Sequence, residues 1–342
     1  MNKKVLVAVS GGVDSSVAVL LLRKAGWDVS GVVMKMSPPH QRAVQDAQAL
    51  ADRLDFPLTV LDLQADFERL VIGDFVSEYA AGRTPNPCVR CNPLLKFARL
   101  TQTADELGCD AVATGHYARI QSGGDRLILR AASAARDQSY MLGRLSRGVR
   151  ERLILPLGEL EKPEVRRLAE EAGLPNFNAP DSQENCFIPD NDYAAFLEAR
   201  LGVRPGPIYS PDGIICGEHN GLYRFTIGQR KGIGFFGRPA FVRRLDAANN
   251  AVILGWGGDV FAAGARVCGC VWHRDPGEAF SCTVKIRSAA RPAPVRVRRD
   301  GETCTLTFET PQRAVTPGQA AVFYDGDTVL GAGTLRSADD PD

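Results

Sequence analysis

No apolar run in this 342-residue sequence approaches the ~18–20 residues that a bilayer-spanning helix needs. The longest candidate, Val17 to Leu22, gives way at once to Arg23 and Lys24. A secretion signal is not expected either. The opening MNKKVLVAVS has two lysines and a strand-like run, without the longer apolar core and small-residue cleavage site of a signal peptide. The expectation is a cytoplasmic protein with no membrane partner. Net charge is nearly absent at +1, which excludes a protein that grips nucleic acid by bulk charge alone. A local basic face remains open. Arg287, Arg291, Arg296, Arg298 and Arg299 gather late in the chain, either as a solvated strand face or as a phosphate-contact surface. Solenoid repeats and low-complexity segments are also lacking. The nine cysteines are an odd number in a chain without a secretion signal, which argues against a structural disulfide framework. Reactive, metal-binding or merely buried thiols remain.

What is present is an ordinary globular composition, 44% hydrophobic and 24% charged, on a chain long enough for two or three domains. Lys4 to Val9 reads as a strand, then a glycine turn, then a helix with Val13, Val17, Leu20 and Leu21 at helical spacing. Further strands are expected at Val29–Met34, Leu58–Leu61 and Asp110–Thr114. Helices are expected at Gln41–Leu54, Phe67–Ala80, Leu94–Leu107, Pro163–Glu171 and Asp192–Leu201. Strands alternating with helices predict an α/β fold, a parallel doubly wound sheet with ligands at its carboxyl edge. From about Arg204 the style changes to short β-rich runs between glycines and prolines: Gly221–Ile227, Ala240–Leu245, Ala251–Leu254, Ser281–Arg287, Pro294–Arg298, Thr303–Phe308, Gln319–Tyr324 and Thr328–Gly333. They predict two small all-β domains, both read as barrels, with a break near Trp272–Pro276. The expected domains are 1–201, 202–272 and 273–338.

The strongest local pattern is Ser10-Gly11-Gly12-Val13-Asp14-Ser15-Ser16. Two glycines let successive N–H groups converge on an anion, the helix that follows adds the positive end of its dipole, and three serines add hydroxyl donors. No lysine sits in the loop, so it is not the Walker pattern. Asp14 would repel a polyphosphate unless Mg²⁺ bridged the two. The plainer reading is a tight turn with Asp14 and Ser15 as helix caps. SGGVDSS resembles the phosphate loop of the N-type ATP pyrophosphatases, whose adenine nucleotide α-hydrolase-like fold would cover about residues 1–200. That resemblance implies that ATP with Mg²⁺ is a substrate. It also implies that Ala8, Val9, Ser10, Gly11, Gly12, Val13, Asp14 and Ser15 hold the triphosphate, while Met34 and Gly115 flank the nucleoside. Met34 as plain core is the alternative.

A second unusual stretch is Thr84-Pro85-Asn86-Pro87-Cys88-Val89-Arg90-Cys91-Asn92, in which prolines stiffen an extended entry. Asn92-Pro93 can start a helix, which would put Cys91 near its N-terminus with a lowered thiol pKa, helped by Arg90 and Lys96. A third, Asp181-Ser182-Gln183-Glu184-Asn185-Cys186-Phe187-Ile188, is a polar loop with one cysteine. Cys109, Cys216, Cys268, Cys270, Cys282 and Cys304 lie in or beside strand-like runs and read as buried small residues. Cys268-x-Cys270 has no matching pair, so zinc is not expected, and no metal site is assigned.

Taken in order, SGGVDSS, GRTPNPxxxCNxxxKF (Gly82 to Phe97), ATGHYAR (Ala113 to Arg119), DQSYML (Asp137 to Leu142), DSQENCFI and PGQAAVFYDG (Pro317 to Gly326) resemble the bacterial tRNA-specific 2-thiouridylases across nearly the whole chain. The resemblance implies an ATP-dependent sulfurtransferase acting on the wobble uridine. In it, Cys186 accepts a persulfide sulfur from a cysteine desulfurase or sulfur relay protein, and Cys91 is the other half of a pair that ends as a disulfide. It further implies that Asn86, Pro87 and Cys88 border the flipped base of a tRNA anticodon arm and that Arg136, Asp137 and Gln138 touch RNA. His116, Gln319, Arg287 and Ser288 are further RNA candidates; His116 reads equally as a cap or packing residue and Gln319 as a turn residue. Some members of the family carry aspartate where this chain has Cys88. Cys88, Cys91 and Cys186 could thus hold an iron–sulfur cluster, a reading placed below persulfide chemistry. Two other classes stay open: another ATP pyrophosphatase-type tRNA-modifying or amidating enzyme, and an RNA- or nucleotide-binding module without chemistry.

Overall fold

Val5, Leu6 and Val7 are wholly hidden from solvent, as a strand covered by helices on both faces requires. They lie at the centre of β1 (Lys4–Ala8) in a computed structural model that describes residues 3–121, 123–178, 185–234 and 236–339. β2 (Asp28–Lys35), β3 (Leu58–Asp62) and β4 (Ala111–Ala113) follow, then a hairpin of β5 (Ala118–Ile120) and β6 (Ile128–Arg130), then β7 (Leu153–Ile154). β1 to β4 and β7 form a parallel sheet ordered β3-β2-β1-β4-β7. The chain builds outward from β1 to β3 and then crosses to the other side of β1. The strand order therefore reverses between β1 and β4, and at such a switch point the carboxyl ends of the strands open a crevice.

The helices are α1 (Val13–Lys24), α2 (Gln41–Leu54), α3 (Gln64–Phe67), α4 (Gly73–Ala80), α5 (Pro87–Cys91), α6 (Phe97–Glu106), α7 (Ser139–Leu142), α8 (Arg147–Arg152), α9 (Lys162–Glu171) and α10 (Tyr193–Leu201). Val17 of α1, Leu50 of α2 and Val165 of α9 share one core cluster with Val5, Val7, Val29 and Val33 of the sheet. Two of the expected helices are interrupted by wide π turns, Glu68–Ile72 between α3 and α4 and Asn92–Lys96 between α5 and α6. The second has a visible cause. Pro93 has no N–H to give to the carbonyl four residues back and its ring crowds that carbonyl, so the turn widens and Phe97 N–H reaches Asn92 O instead.

The chain divides into two compact units. One holds Met1–Val71, Cys88–Pro189 and Asp327–Val329, including the parallel sheet; the other holds Ile72–Pro87, Asp190–Gly326 and Leu330–Asp342. In the second unit, α4 and α10 meet through Phe75 and Phe196, ring centres 6.3 Å apart, and through stacked Tyr79 and Tyr193 at 6.0 Å. β8 (Gly206–Tyr209), β9 (Ile215–His219), β10 (Ala240–Asp246) and β11 (Ala251–Trp256) make a four-stranded sheet ordered β10-β11-β8-β9. β12 (Phe261–Trp272), β13 (Ala279–Lys285), β14 (Ala293–Asp300), β15 (Thr303–Arg313), β16 (Ala320–Asp325) and β17 (Thr328–Asp339) run in the order β12-β15-β14-β13-β16-β17, and β12 pairs with β17 to close a barrel.

The described strands of the first group form one four-stranded sheet, and those of the second close on themselves. Gly221–Ile227 is not a strand but holds a 3₁₀ turn at Leu222–Arg224, because Leu222 and Tyr223 are both buried and consecutive burial breaks the alternation of a strand. β12 escaped notice because its alanines and glycines carry little strand propensity. It ends at Trp272, so the break near Trp272–Pro276 is a turn inside the barrel. On β14, Ala293, Val295 and Val297 point inward while Arg296 and Arg298 are exposed, which gives these two arginines the solvated face. Among the described residues no helix is long and apolar enough to cross a membrane.

Leu6 has no exposed surface at the centre of the parallel sheet, so Leu6→Ala is expected to destabilise the unit that contains it by roughly 2–5 kcal/mol. The check is a shift of the corresponding transition in urea unfolding.

Candidate active site

The loop after β1 turns on Gly11, at φ +75°. A side chain there would strike Asp46 Cβ at 2.5 Å, so glycine is needed for both the angle and the space. Gly12 is the N-cap of α1 and gives it no side-chain hydrogen bond. The serines instead brace the loop: Ser10 N donates to Ser15 Oγ at 3.1 Å, and Ser15 and Ser16 hydroxyls each donate to Gly12 O at 3.0 Å. Asn176 donates to Gly11 O at 2.7 Å and to Ser16 Oγ at 3.0 Å. Capping by Asp14 or Ser15 is therefore not what shapes this turn, and the helix start is left to an outside anion. Gly115, just beyond β4, closes on the same loop: a Cβ there would lie 3.0 Å from the Asp14 carbonyl carbon and from Ser15 N. Met34, buried near the carboxyl end of β2, pairs in register with Leu61.

Asp14 has a partner that sequence reasoning missed. Lys162 Nζ lies 2.8 Å from both carboxylate oxygens, and Tyr117 Oη donates to Oδ1 at 2.7 Å. Lys162 opens α9 and only 8% of its side chain is exposed, so its charge is committed to this carboxylate. The available signal was a lysine placed immediately before the helix proline. Lys162 thus stands as a cation beside the glycine loop, with a carboxylate partner that another anion could replace.

The thiols converge elsewhere in the same unit. Cys91 is buried at the end of α5, with helical backbone angles, and the chain continues into the π turn. The first turn of this helical run belongs to Pro87 and Cys88, so the dipole argument made for Cys91 fails. Burial pushes the Cys91 thiol up to about 12, against the pull of nearby Lys96. Burial also raises the thiol of Cys186, again against Lys96. Cys186 itself is exposed, but Phe187 and Ile188 next to it are buried, and Phe187 packs edge-on to Phe67 at 5.5 Å. Asp181 to Glu184 lie outside the described residues. Cys88, half-buried, completes the group.

Lys96 is the positive centre of all three thiols. Burial works against its charge, yet Cys91, Cys88 and Cys186 together hold its pKa above the usual lysine value. His116 and His40 feel the same cation. The His116 imidazole falls to about 3, first through burial and then through Lys96, and it stays neutral while sharing a 2.8 Å hydrogen bond with Thr114 Oγ1. His40 is lowered for the same two reasons, in the same order. Asn92, almost fully buried, locks the π turn by donating to Met141 O at 2.9 Å.

The residues expected to touch RNA are placed unevenly. Asp137 is spent inside the protein: Oδ1 accepts from Ala131 N and Ser139 N at 3.1 Å, and Oδ2 pairs with Arg130 at 3.2 Å. Gln138 is exposed, but its Oε1 accepts from Tyr117 N at 2.9 Å. Arg136 is half-buried. In the second unit, Arg287 donates to Ile227 O and Ala314 O at 3.0 Å and to Thr316, as an internal staple, while Ser288 is exposed. Gln319 donates to Thr84 O at 2.7 Å and so anchors the Pro85–Pro87 entry, in which Asn86 and Pro87 are half-buried.

Three family models match in order: a tRNA methyl transferase HUP domain over residues 3–190, a tRNA methyl transferase PRC-barrel domain over 194–256, and an aminomethyltransferase beta-barrel domain over 264–335. Curated relatives match end to end. A tRNA-specific 2-thiouridylase from Carboxydothermus hydrogenoformans is 43% identical, covering 98% of each chain. Relatives described in the same words from Acidithiobacillus ferrooxidans and Clostridioides difficile are 42% and 40% identical, covering 99% of each chain.

Two outcomes are expected. Lys162→Met leaves the Asp14 carboxylate without its cation and lowers stability by about 1–3 kcal/mol, and adding Asp14→Asn recovers part of the loss in a double-mutant cycle by urea denaturation. Because the Cys186 thiol is raised, its alkylation by iodoacetamide is slow at neutral pH and its rate keeps rising with pH beyond the ordinary thiol range. Removing the cation with Lys96→Met disfavours the thiolate and slows the reaction further at neutral pH, as read by peptide mass spectrometry.

Proposed function

The chain belongs to the tRNA-specific 2-thiouridylase family, and from that membership we propose that it replaces the 2-oxygen of the wobble uridine in tRNA with sulfur at the expense of ATP. The observation that supports this reading is that Cys91, Cys186 and Cys88 all lie within electrostatic reach of Lys96, in the same compact unit as the glycine loop. A methyl transfer, the reaction named in two of the domain descriptions, has no use for that combination. An amidating synthetase has use for the loop but none for the thiols.

The uracil 2-carbonyl resists substitution because its oxygen leaves poorly. With ATP and Mg²⁺ on the loop of Ala8 to Ser15, the uridine oxygen attacks the α-phosphate, pyrophosphate departs, and the oxygen becomes part of an adenylate. Lys162 and the start of α1 stabilise the charge that builds on the phosphates. Cys186, loaded beforehand by a desulfurase or relay protein, carries a persulfide whose terminal sulfur attacks C2, and AMP leaves with the old oxygen. The base is then joined to Cys186 through a disulfide. Cys91 attacks the Cys186 sulfur, frees 2-thiouridine, and leaves a Cys91–Cys186 disulfide that an external thiol reopens. Cys91 rests protonated, so the C–S bond forms first from the persulfide, which needs no ionisation of Cys91 to act. The site chemistry gives Lys96 the task of steadying each transient sulfur anion.

Cys88, in place of an acid, motivates a second reading in which three thiolates and the Lys96 charge accommodate an iron–sulfur cluster. Among the described residues, however, no three His, Cys, Asp or Glu side chains are arranged to hold a metal ion, and no step is routed through one. Anaerobic purification with iron and acid-labile sulfide assays decides between the two.

With ATP, unmodified tRNA and a persulfide donor, Cys186→Ala is expected to release pyrophosphate but form no thiouridine. Cys91→Ala is expected to accumulate a protein–tRNA adduct that dithiothreitol releases as thiouridine-containing tRNA. Wild-type activity of the Cys186 variant with a persulfide donor contradicts the reading.

A further inference from the structure

The barrel holds a second group of thiols that this chemistry does not use. Cys268 and Cys270 lie on β12, Cys282 on β13 and Cys304 on β15. β12 and β15 are antiparallel neighbours, with Val267 opposite Cys304 and Cys268 opposite Thr303. This register brings Cys270 Sγ to 3.4 Å from Cys304 Sγ. Two sulfurs at that distance share a proton, and a small rotation about each Cα–Cβ bond carries them toward the ~2.05 Å of a disulfide. The pair is asymmetric. Cys304 is 2% exposed, whereas Cys270 is only half-buried, so a solute reaches Cys270 first and Cys304 waits behind it.

The surroundings make room for this pair and set it apart from its neighbours. Gly333 on β17 faces it: a Cβ there would lie 2.8 Å from Cys270 Sγ and 2.5 Å from Val267 Cγ1, so the glycine leaves the space the sulfurs occupy. The hydrogen bond from Cys270 and then the Arg299 guanidinium hold the Cys304 thiol below the ordinary thiol range, in spite of burial. Cys282, on the neighbouring side, is pushed up to about 12 by burial and by Asp325, and so stays a protonated, unreactive thiol.

We propose that Cys270 and Cys304 form a redox-active dithiol, a site of reversible oxidation by small hydroperoxides that shares no residue with the sulfur-transfer pair. The proton that the two sulfurs share moves to Cys304, and Cys270, as thiolate, attacks the peroxide oxygen; the O–O bond breaks, Cys270 becomes a sulfenic acid, and hydroxide or alkoxide leaves and takes up the Cys304 proton. Cys304, as thiolate, attacks the Cys270 sulfur, the S–O bond breaks, and a second hydroxide leaves with formation of the Cys270–Cys304 disulfide. Two thiols and one hydrogen peroxide thus yield one disulfide and two waters. Exchange with an external thiol reverses the step. The product is a covalent tie between β12 and β15.

The test treats the full chain with graded hydrogen peroxide, blocks remaining thiols by alkylation, and maps cross-linked peptides by mass spectrometry. The expected result is a Cys270–Cys304 link that dithiothreitol removes, with Cys268 and Cys282 recovered as alkylated thiols. In Cys304→Ser the resolving thiol is gone, and dimedone labelling of Cys270 rises several-fold over wild type. In Cys270→Ser the buried Cys304 gains no such label. The wild-type map decides the matter even if a variant fails to fold. Absence of the link at peroxide doses that already oxidise the exposed Cys186 or Cys216, or pairing of Cys270 with Cys268 or Cys282 as readily as with Cys304, overturns the proposal.

Discussion

Lys96 sits where three thiols and two imidazoles come within reach of one charge, and its burial works against keeping that charge. Thiols able to ionise beside it favour the charged ammonium against that burial, while burial first and the ammonium second lower both imidazoles. A buried cation of this kind is tolerated only with something to balance it. The Cys91 and Cys186 thiols are both raised by burial, which leaves Lys96 to steady anions that form during a reaction. The arrangement depends on the wide turn that Pro93 imposes between α5 and α6 and on the Asn92 side chain that fixes it.

The parallel sheet supplies the other half of the site through its strand order. The reversal between β1 and β4 sets two loops side by side, and Gly115 lets the β4 loop come within contact of the Asp14–Ser15 backbone. The Asp14–Lys162 pair then ties the loop to α9. The glycine loop and the three thiols therefore belong to one sheet-centred unit, in which the polar groups of the loop brace one another. The barrel contributes a different kind of order, closed antiparallel pairing with Val284, Leu306 and Phe323 hidden inside it.

Much of this was legible in the sequence, for identifiable reasons. SGGVDSS follows a continuous apolar run and precedes helical spacing, so strand, turn and helix agree with one another, and Gln41–Leu54 has the bounds its periodicity predicts. The misreadings have equally physical causes. Cys91 was placed at a helix start because Asn92-Pro93 is a common opening, but Pro87 opens the helix first and Pro93 only widens it. Lys162 was invisible because its partner lies far away in the chain. The internal role of Asp137 gave no signal in the sequence, because the backbone N–H groups of Ala131 and Ser139 that it accepts from are set by the fold. β12 was missed because Ala, Gly and Cys carry little strand signal, although their small size is what lets β17 and the Cys270–Cys304 pair come so close.

The account stands on the sulfur passing from Cys186 to a nucleotide-activated uridine while Cys91 closes the cycle. The most direct measurement loads Cys186 with an isotopically heavy persulfide sulfur and mixes the protein with ATP and unmodified tRNA for a single turnover, without reductant and with unlabelled sulfide in solution. The account predicts heavy sulfur at the uridine 2-position and a Cys91–Cys186 disulfide in equal yield. Unlabelled thiouridine with both thiols still reduced would contradict it.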